Sequence, residues 1–392
     1  MDIFELDGAF VLHTYARRKI AFERGKNATL FDQNGKDYID FASGLGVNSV
    51  GYGNERLAAA IADQASKIIH SSNLYTIDIQ ALLAERIVKL SGLDARVFFA
   101  NSGAEANEGA IKLARKYGQK SGRFEIITLR NSFHGRTIAT LKATGQEKFH
   151  ACFGPFPDGF IYAADVEDVL RRIGGKTVAV MVELVQGEGG VLPLDVKAVQ
   201  NLAAELKKRD ILLIVDEVQT GVFRSGEFIA SIGYSIEPDI FTLAKGLGGG
   251  VPIGAVITTK KELFEYGDHA STFGGNFLSS RAAYTTLEIL EELKNSGELA
   301  RTIGYFTRKN GEIAAKYPRL FLGEAGVGLM RALIARDDAV QQAVLEEAHK
   351  EQVLVLRSGS SRVRMLPPLT ISQEEIELGF QRLEGACRAV DS

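Results

Sequence analysis

The chain has 392 residues, 45% hydrophobic and 24% charged, with a formal net charge of -3. That length exceeds the size at which one core usually keeps growing, so two domains are expected; no run of Lys and Arg offers a phosphate backbone a basic stripe, which argues against a nucleic-acid partner. Cys152 and Cys387 stand far apart in no metal-ligand spacing and the six histidines form no HExxH pair, so neither a disulfide nor a structural metal is expected.

The N-terminus carries Asp2, Glu5 and Asp7 where a secretory leader would be basic, and apolar runs such as Ile211 to Val215 are far too short to span a membrane. A cytoplasmic enzyme with no membrane partner is expected. From Val97 to about Thr258, short β-rich runs (VFF, EIITL, TVAVMVEL, ILLIV, GAVITT) alternate with amphipathic stretches such as Ala104 to Tyr117 and Val196 to Lys208. This predicts an α/β fold with a mostly parallel, doubly wound sheet. Beyond Arg281 the pattern predicts a long helix to about Lys316, a strand near Gly326 to Ala335, a helix from Ala339 to Lys350 and a final helix after Ser372. Residues 1–55 are assigned to an N-terminal segment of a small α+β domain, 56–285 to a large domain, and 286–392 to the rest of the small domain.

The familiar nucleotide and hydrolase motifs are incomplete. Gly246, Gly248 and Gly250 approach GxGxxG without matching it, and GxSxG is absent. The strand Ile211 to Glu217 (ILLIVDE) could end in a magnesium-binding acid, but the GKT at Gly175 to Thr177 has Leu170 where a phosphate loop needs glycine, and it precedes a strand. What remains is a pair. Asp216 ends an apolar strand, and Lys245 follows a strand over Pro238 to Leu243 inside a glycine cluster (LAKGLGGG). An acid that keeps a pyridine nitrogen protonated and an amine that can bond a carbonyl are what a pyridoxal phosphate site requires. Ser102 and Gly103 lie in a turn opening a helix near Ala104, whose free N–H groups could meet a phosphate; NSGAE reads equally as a plain capping box closed by Glu105.

Six ordered motifs, NSGAEANEGAIKLARKYG, NSFHGRT, VELVQGEGG, LLIVDEVQTGVFRSG, PDIFTLAKGLGGGVPIGAV and STFGGN, make the chain resemble the class III pyridoxal-phosphate aminotransferases over nearly its whole length, most of all their acetylornithine branch. The resemblance implies a fold-type I transferase with Lys245 holding the cofactor, Asp216 at the pyridine nitrogen, Gln219 at the phenolic oxygen, Ser102, Gly103 and Ala104 at the phosphate, and Phe133 stacked on the ring. Thr272 would reach the cofactor phosphate of a neighbouring subunit, with Ser271 beside the substrate, which implies a homodimer with shared sites. Arg136 and Arg364 would clamp substrate carboxylates, and Glu188 would pair with Arg364 when no carboxylate is there.

Two departures stand out, Ala104 where many relatives have Thr and Leu184 where many have Pro. The implied activity is transfer of the δ-amino group of N-acetylornithine to 2-oxoglutarate, in arginine biosynthesis. Gly44, where ornithine-specific relatives place Tyr nearby, favours an acylated α-nitrogen; succinylornithine, succinyl-diaminopimelate, ornithine and 4-aminobutyrate stay open as donors, as does a non-catalytic binding protein.

Overall fold

In the computed structural model, which describes residues 1–392, a capped helix, Ile3–Phe10, precedes three antiparallel strands, β1 (Phe22–Lys26), β2 (Thr29–Asp32) and β3 (Asp37–Asp40). After helices Glu55–Lys67 and Asp78–Ser91 come β4 (Arg96–Ala100), β5 (Glu125–Leu129), β6 (Phe160–Ala163) and β7 (Thr177–Val182). A small hairpin, β8 (Val185–Gln186) and β9 (Leu192–Pro193), leads into β10 (Leu212–Asp216), β11 (Ile240–Leu243) and β12 (Gly254–Thr258).

The central sheet has seven strands in the order β4-β12-β11-β10-β7-β5-β6. Every residue of β7, β10 and β11 is buried, as strands covered by helices on both faces must be, which is why these stretches are runs of Val, Ile, Leu and Met with no polar alternation. Pairing is parallel from β6 through β11, whereas β12 runs antiparallel to both β11 and β4. Because β12 is reversed, β4 points the same way as β10 and β11, and the carboxyl ends of β4, β5, β7, β10 and β11 all open on one edge. Helix Gly103–Gly118 packs on the sheet, with Ser102 capping it by accepting from the Glu105 N–H, and Val196–Lys208 starts at the Asp195 cap.

The long helix expected after Arg281 is two, Phe277–Asn295 and Glu298–Lys316, separated at Gly297, whose φ of +74° ends the first helix in the left-handed region that glycine tolerates. The first of these helices runs through residue 285, where the sequence reading divides the chain. The strand expected near Gly326 is a hairpin of β13 (Phe321–Val327) and β14 (Met330–Ala335), turned at Gly328 with φ +58°.

Helix Asp338–Lys350 then leads to β15 (Val353–Leu354), β16 (Leu356–Ser358), β17 (Arg362–Met365) and a last helix, Gln373–Asp391. β15 pairs in parallel with β3, so the C-terminal segment rejoins the sheet built by the N-terminus. Phe41, Phe306 and Phe380 stack at that junction, with ring centroids 4.9 to 5.3 Å apart. Cys152 is exposed and Cys387 buried, both free, and no helix is long and apolar enough to cross a membrane.

Candidate active site

The five carboxyl ends of the central sheet converge on a cavity of about 420 Å³ whose lining includes Ser102, Gly103, Ala104, Phe133, Arg136, Glu183, Asp216, Gln219 and Lys245. Open α/β sheets gather their ligand crevices at this edge, because the loops that leave the strands there are free to carry polar groups.

Asp216 ends β10 and is only 3% exposed. Its Oδ2 accepts from Asn107 Nδ2 at 2.7 Å and pairs with His134 Nδ1 at 2.8 Å; its Oδ1 accepts from the Val218 N–H at 3.1 Å and lies 3.4 Å from the Thr242 hydroxyl, whose single hydrogen goes to Asn107. Asn107 is itself held, donating to the His134 carbonyl at 2.7 Å and accepting from the Thr242 hydroxyl at 2.8 Å. A buried carboxylate stays charged only with such a set of donors. His134 Nε2 has no partner.

Lys245 opens a short turn after β11 with φ +39°. A non-glycine residue in the left-handed region stores strain of about 1–3 kcal/mol, which concentrates at functional sites. Burial pushes the Lys245 ammonium below its ordinary pKa; Glu188, Asp216 and Glu183 oppose this and Arg364 adds to it. The net shift is toward easier loss of the proton, and the neutral amine is the form that can bond a carbonyl or take a proton.

The N–H groups of Gly103 and Ala104, which also line the cavity, begin helix Gly103–Gly118 and have no acceptor within the chain. A Cβ on Gly103 would come 2.7 Å from Val218 Cγ1, so only glycine leaves the backbone open there. Free N–H groups at a helix start, a buried hydrogen-bonded acid and a buried amine line one cavity and fit the phosphate, ring nitrogen and carbonyl of pyridoxal phosphate.

Arg364, on β17, is 1% exposed and its Nη1 donates to Glu188 Oε1 at 2.6 Å, to the Gly187 carbonyl at 3.1 Å and to Gln219 Oε1 at 3.2 Å. Burial drives the Glu188 carboxyl up, but the Arg364 charge and hydrogen bond outweigh it and hold the acid below its ordinary range. These two residues lie behind Gln219, beyond the cavity lining, so Gln219 joins the pair to the cavity. Arg136 is exposed and forms no ion pair. Its guanidinium lies over the rings of Phe149 and Phe133.

Ser271 and Thr272 do not line this cavity. They border a second one with His70, Asn73 and Phe98, where Thr272 is exposed and the Ser271 hydroxyl accepts from Asn101 Nδ2 at 3.2 Å. Gly44 is exposed at φ +62°, and from its loop Val47 lines the cavity instead.

Sequence reasoning missed Glu183. It follows β7 directly and is 5% exposed, accepting from the Phe133 N–H at 2.8 Å and the Gly187 N–H at 3.2 Å, so one carboxyl ties the Phe133–Arg136 loop to the Gly187–Glu188 loop. Burial pushes its pKa up to about 7, with Asp216 reinforcing and His134 opposing. The signal was present only as an acid interrupting an apolar run. No cluster of His, Cys, Asp and Glu could hold a metal ion.

The comparisons with known proteins agree with this geometry. Residues 12–387 match the family model for class-III aminotransferases. An acetylornithine aminotransferase of Wolinella succinogenes is 58% identical over 98% of this chain and 99% of its own. Among solved structures, an N-acetylornithine aminotransferase from Stenotrophomonas maltophilia superposes with TM-score 0.83 at 32% identity, covering 99% of both chains. An ornithine aminotransferase from Toxoplasma gondii, with pyridoxal phosphate partly occupying its active site, gives TM-score 0.91 at 30% identity over 99% of this chain and 94% of that one.

The Glu183 titration has a sign that can be measured. The unfolded carboxyl titrates near 4.5 and the folded one at about 7, so between these values the folded state binds more protons and stability falls as pH rises. Glu183→Gln removes that loss. Thermal melts of the cofactor-free proteins from pH about 5 to about 8 should show the variant gaining on the wild type as pH rises; parallel curves would mean Glu183 titrates normally.

Proposed function

The chain belongs to the class III aminotransferases, which are pyridoxal phosphate-dependent, and on that footing we propose that it moves the δ-amino group of N-acetylornithine to 2-oxoglutarate. The observation that carries this reading is the meeting of Lys245, Asp216 and the free Gly103 and Ala104 N–H groups in one cavity. Bound there, pyridoxal phosphate supplies the carbonyl that receives the amino group and the ring into which electrons spread when the substrate carbon loses its proton. Asp216 would hold a proton on the ring nitrogen, its carboxylate fixed for that task by hydrogen bonds from Asn107, His134 and Val218. Gly103 and Ala104 hold the phosphate, and Phe133 covers the ring. Lys245 would hold the cofactor, and its Nζ would take the proton from the substrate carbon that bears the transferred nitrogen.

Donor and acceptor differ in shape. Glutamate carries two carboxylates, for which Arg136 and Arg364 are planar, multidentate partners. N-acetylornithine brings one, to Arg136, and leaves Arg364 with Glu188, so no charge is left unpaired against its apolar stem. The identity with relatives named acetylornithine aminotransferase supports this donor over ornithine, for which the Toxoplasma gondii likeness is the specific counter-observation. The same reading includes a cytoplasmic homodimer, in which Thr272 and Ser271 complete the partner's site, and a small domain made from both chain ends beside the large cofactor domain. The exposed Leu74, Tyr75, Tyr266 and Phe273 near Thr272 support an interface there.

Initial rates with 2-oxoglutarate test the donor. N-acetylornithine should exceed ornithine and 4-aminobutyrate in kcat/KM by at least about tenfold; a preference for ornithine would establish the second reading. A second test addresses the exchange at Arg364. Glu188→Ala should leave the glutamate half-reaction as fast or faster, while the N-acetylornithine half-reaction weakens by on the order of a few kcal/mol, because an unpaired guanidinium then faces the apolar stem. Equal slowing of both half-reactions in single-turnover spectra would make Glu188 a purely structural partner.

A further inference from the structure

Arg136 at the cavity and Arg364 behind it are held in opposite ways. Arg364 is buried against an acid, whereas Arg136 is exposed and has no carboxylate partner. A long cationic side chain left alone in water spreads over many rotamers, and fixing it on binding subtracts from affinity. Arg136 is nonetheless fixed. Its guanidinium carbon lies 4.1 Å from the centroid of the Phe149 ring and 5.4 Å from that of Phe133. The two rings meet edge to face, centroids 6.0 Å apart at 80°, a favourable aromatic geometry.

Phe149 does not line the cavity. It ends a short turn, Glu147–Phe149, whose next residue is anchored: His150 Nε2 lies 2.9 Å from the carbonyls of both Leu141 and Thr144. The aromatic face therefore belongs to a tethered element. A carboxylate in its place would fix Arg136 equally well but would occupy the donors that a substrate needs. An aromatic face attracts the cation through the ring quadrupole and takes none of its five N–H groups.

We propose that Phe149 is a positioning residue for carboxylate recognition, holding Arg136 over its ring so that the guanidinium is ordered with all its donors free. The proposal rests on the reading of Arg136 as the clamp for a carboxylate common to both substrates. Phe149 acts before any chemistry, on donor and acceptor alike, which separates it from Glu188.

The test uses the holoenzyme and three variants, Phe149→Leu, Phe149→Tyr and Arg136→Ala, with calorimetric binding of glutarate, a dicarboxylate that cannot react, beside KM and kcat for both substrates. Phe149→Leu should weaken glutarate and raise both KM values by a similar factor, about three- to tenfold, with kcat changed far less. Phe149→Tyr, which keeps the ring face, should stay close to wild type. Unchanged glutarate affinity in Phe149→Leu overturns the proposal, and so does Phe149→Tyr failing as badly as Phe149→Leu. If Phe149→Leu has no effect while Arg136→Ala weakens glutarate, only the role of Phe149 is lost. If Arg136→Ala also leaves glutarate unchanged, the clamp itself is wrong.

Discussion

A carboxylate removed from water loses hydration worth several kcal/mol and keeps its charge only where donors replace the solvent. Asp216 meets that condition with three donors, from helix Gly103–Gly118, the loop after β5 and its own chain just beyond β10, while Thr242 of β11 holds Asn107 in place. None of these elements can shift without exposing an uncompensated charge, so the satisfaction of one acid fixes the relative positions of the parts that hold the cofactor. The same helix that supplies Asn107 presents the Gly103 and Ala104 N–H groups at its start, and the same loop that supplies His134 carries Phe133 and Arg136. The acid, the free N–H groups and the Phe133 ring are thereby positioned by a single network.

Specificity depends on a second set of charges arranged around Gly187. Its carbonyl accepts from Arg364 and from the Ser358 hydroxyl, and its N–H donates to Glu183. Glu183 in turn holds the Phe133 N–H, so the wall that carries the Arg364–Glu188 pair and the wall that carries Arg136 share one carboxyl. An enzyme that must take a dicarboxylate in one half-reaction and a longer monocarboxylate in the other needs one arginine that can be released from an internal acid and one that is always available. Burial with Glu188 gives Arg364 the first property. In the proposed reading, the Phe149 ring gives Arg136 the second.

Much of this was legible in the sequence because it is carried by short, local signals. Helix Val196–Lys208 matches its amphipathic pattern residue for residue, and Asp216 and Lys245 were identified as a pair by where each falls after an apolar strand. Departures arose where the deciding contact is distant or the local signal weak. β6 is four residues long and half-buried at the sheet edge, too short to stand out. β12 reads as a strand, but nothing local shows that it runs backwards. The breaks at Gly297 and Gly328 depend on single glycines that an amphipathic or apolar pattern runs straight through. Asn107 and His134 come from other elements than Asp216, and no spacing rule connects them. Glu183 is concealed in a run that reads as buried strand, and no spacing rule connects Phe149 with Arg136. Ser271 and Thr272 were assigned from the resemblance, and this chain's fold keeps them out of its own cavity.

The central claim is that the Asp216 charge is maintained for the cofactor's ring nitrogen, and replacing it by an uncharged residue of the same shape addresses this most directly. In Asp216→Asn the amide oxygen can still accept from the Val218 N–H, and the amide nitrogen can donate to His134 Nδ1 once that ring carries its proton on the unpartnered Nε2, so cofactor binding and the fold should persist. The proton on the ring nitrogen should not. Single-turnover amino transfer from N-acetylornithine by the reconstituted variant should therefore be slower than wild type by at least about a hundredfold, as expected when a preorganised charge at the reacting system is removed. A variant that binds the cofactor and transfers the amino group at the wild-type rate would contradict the account.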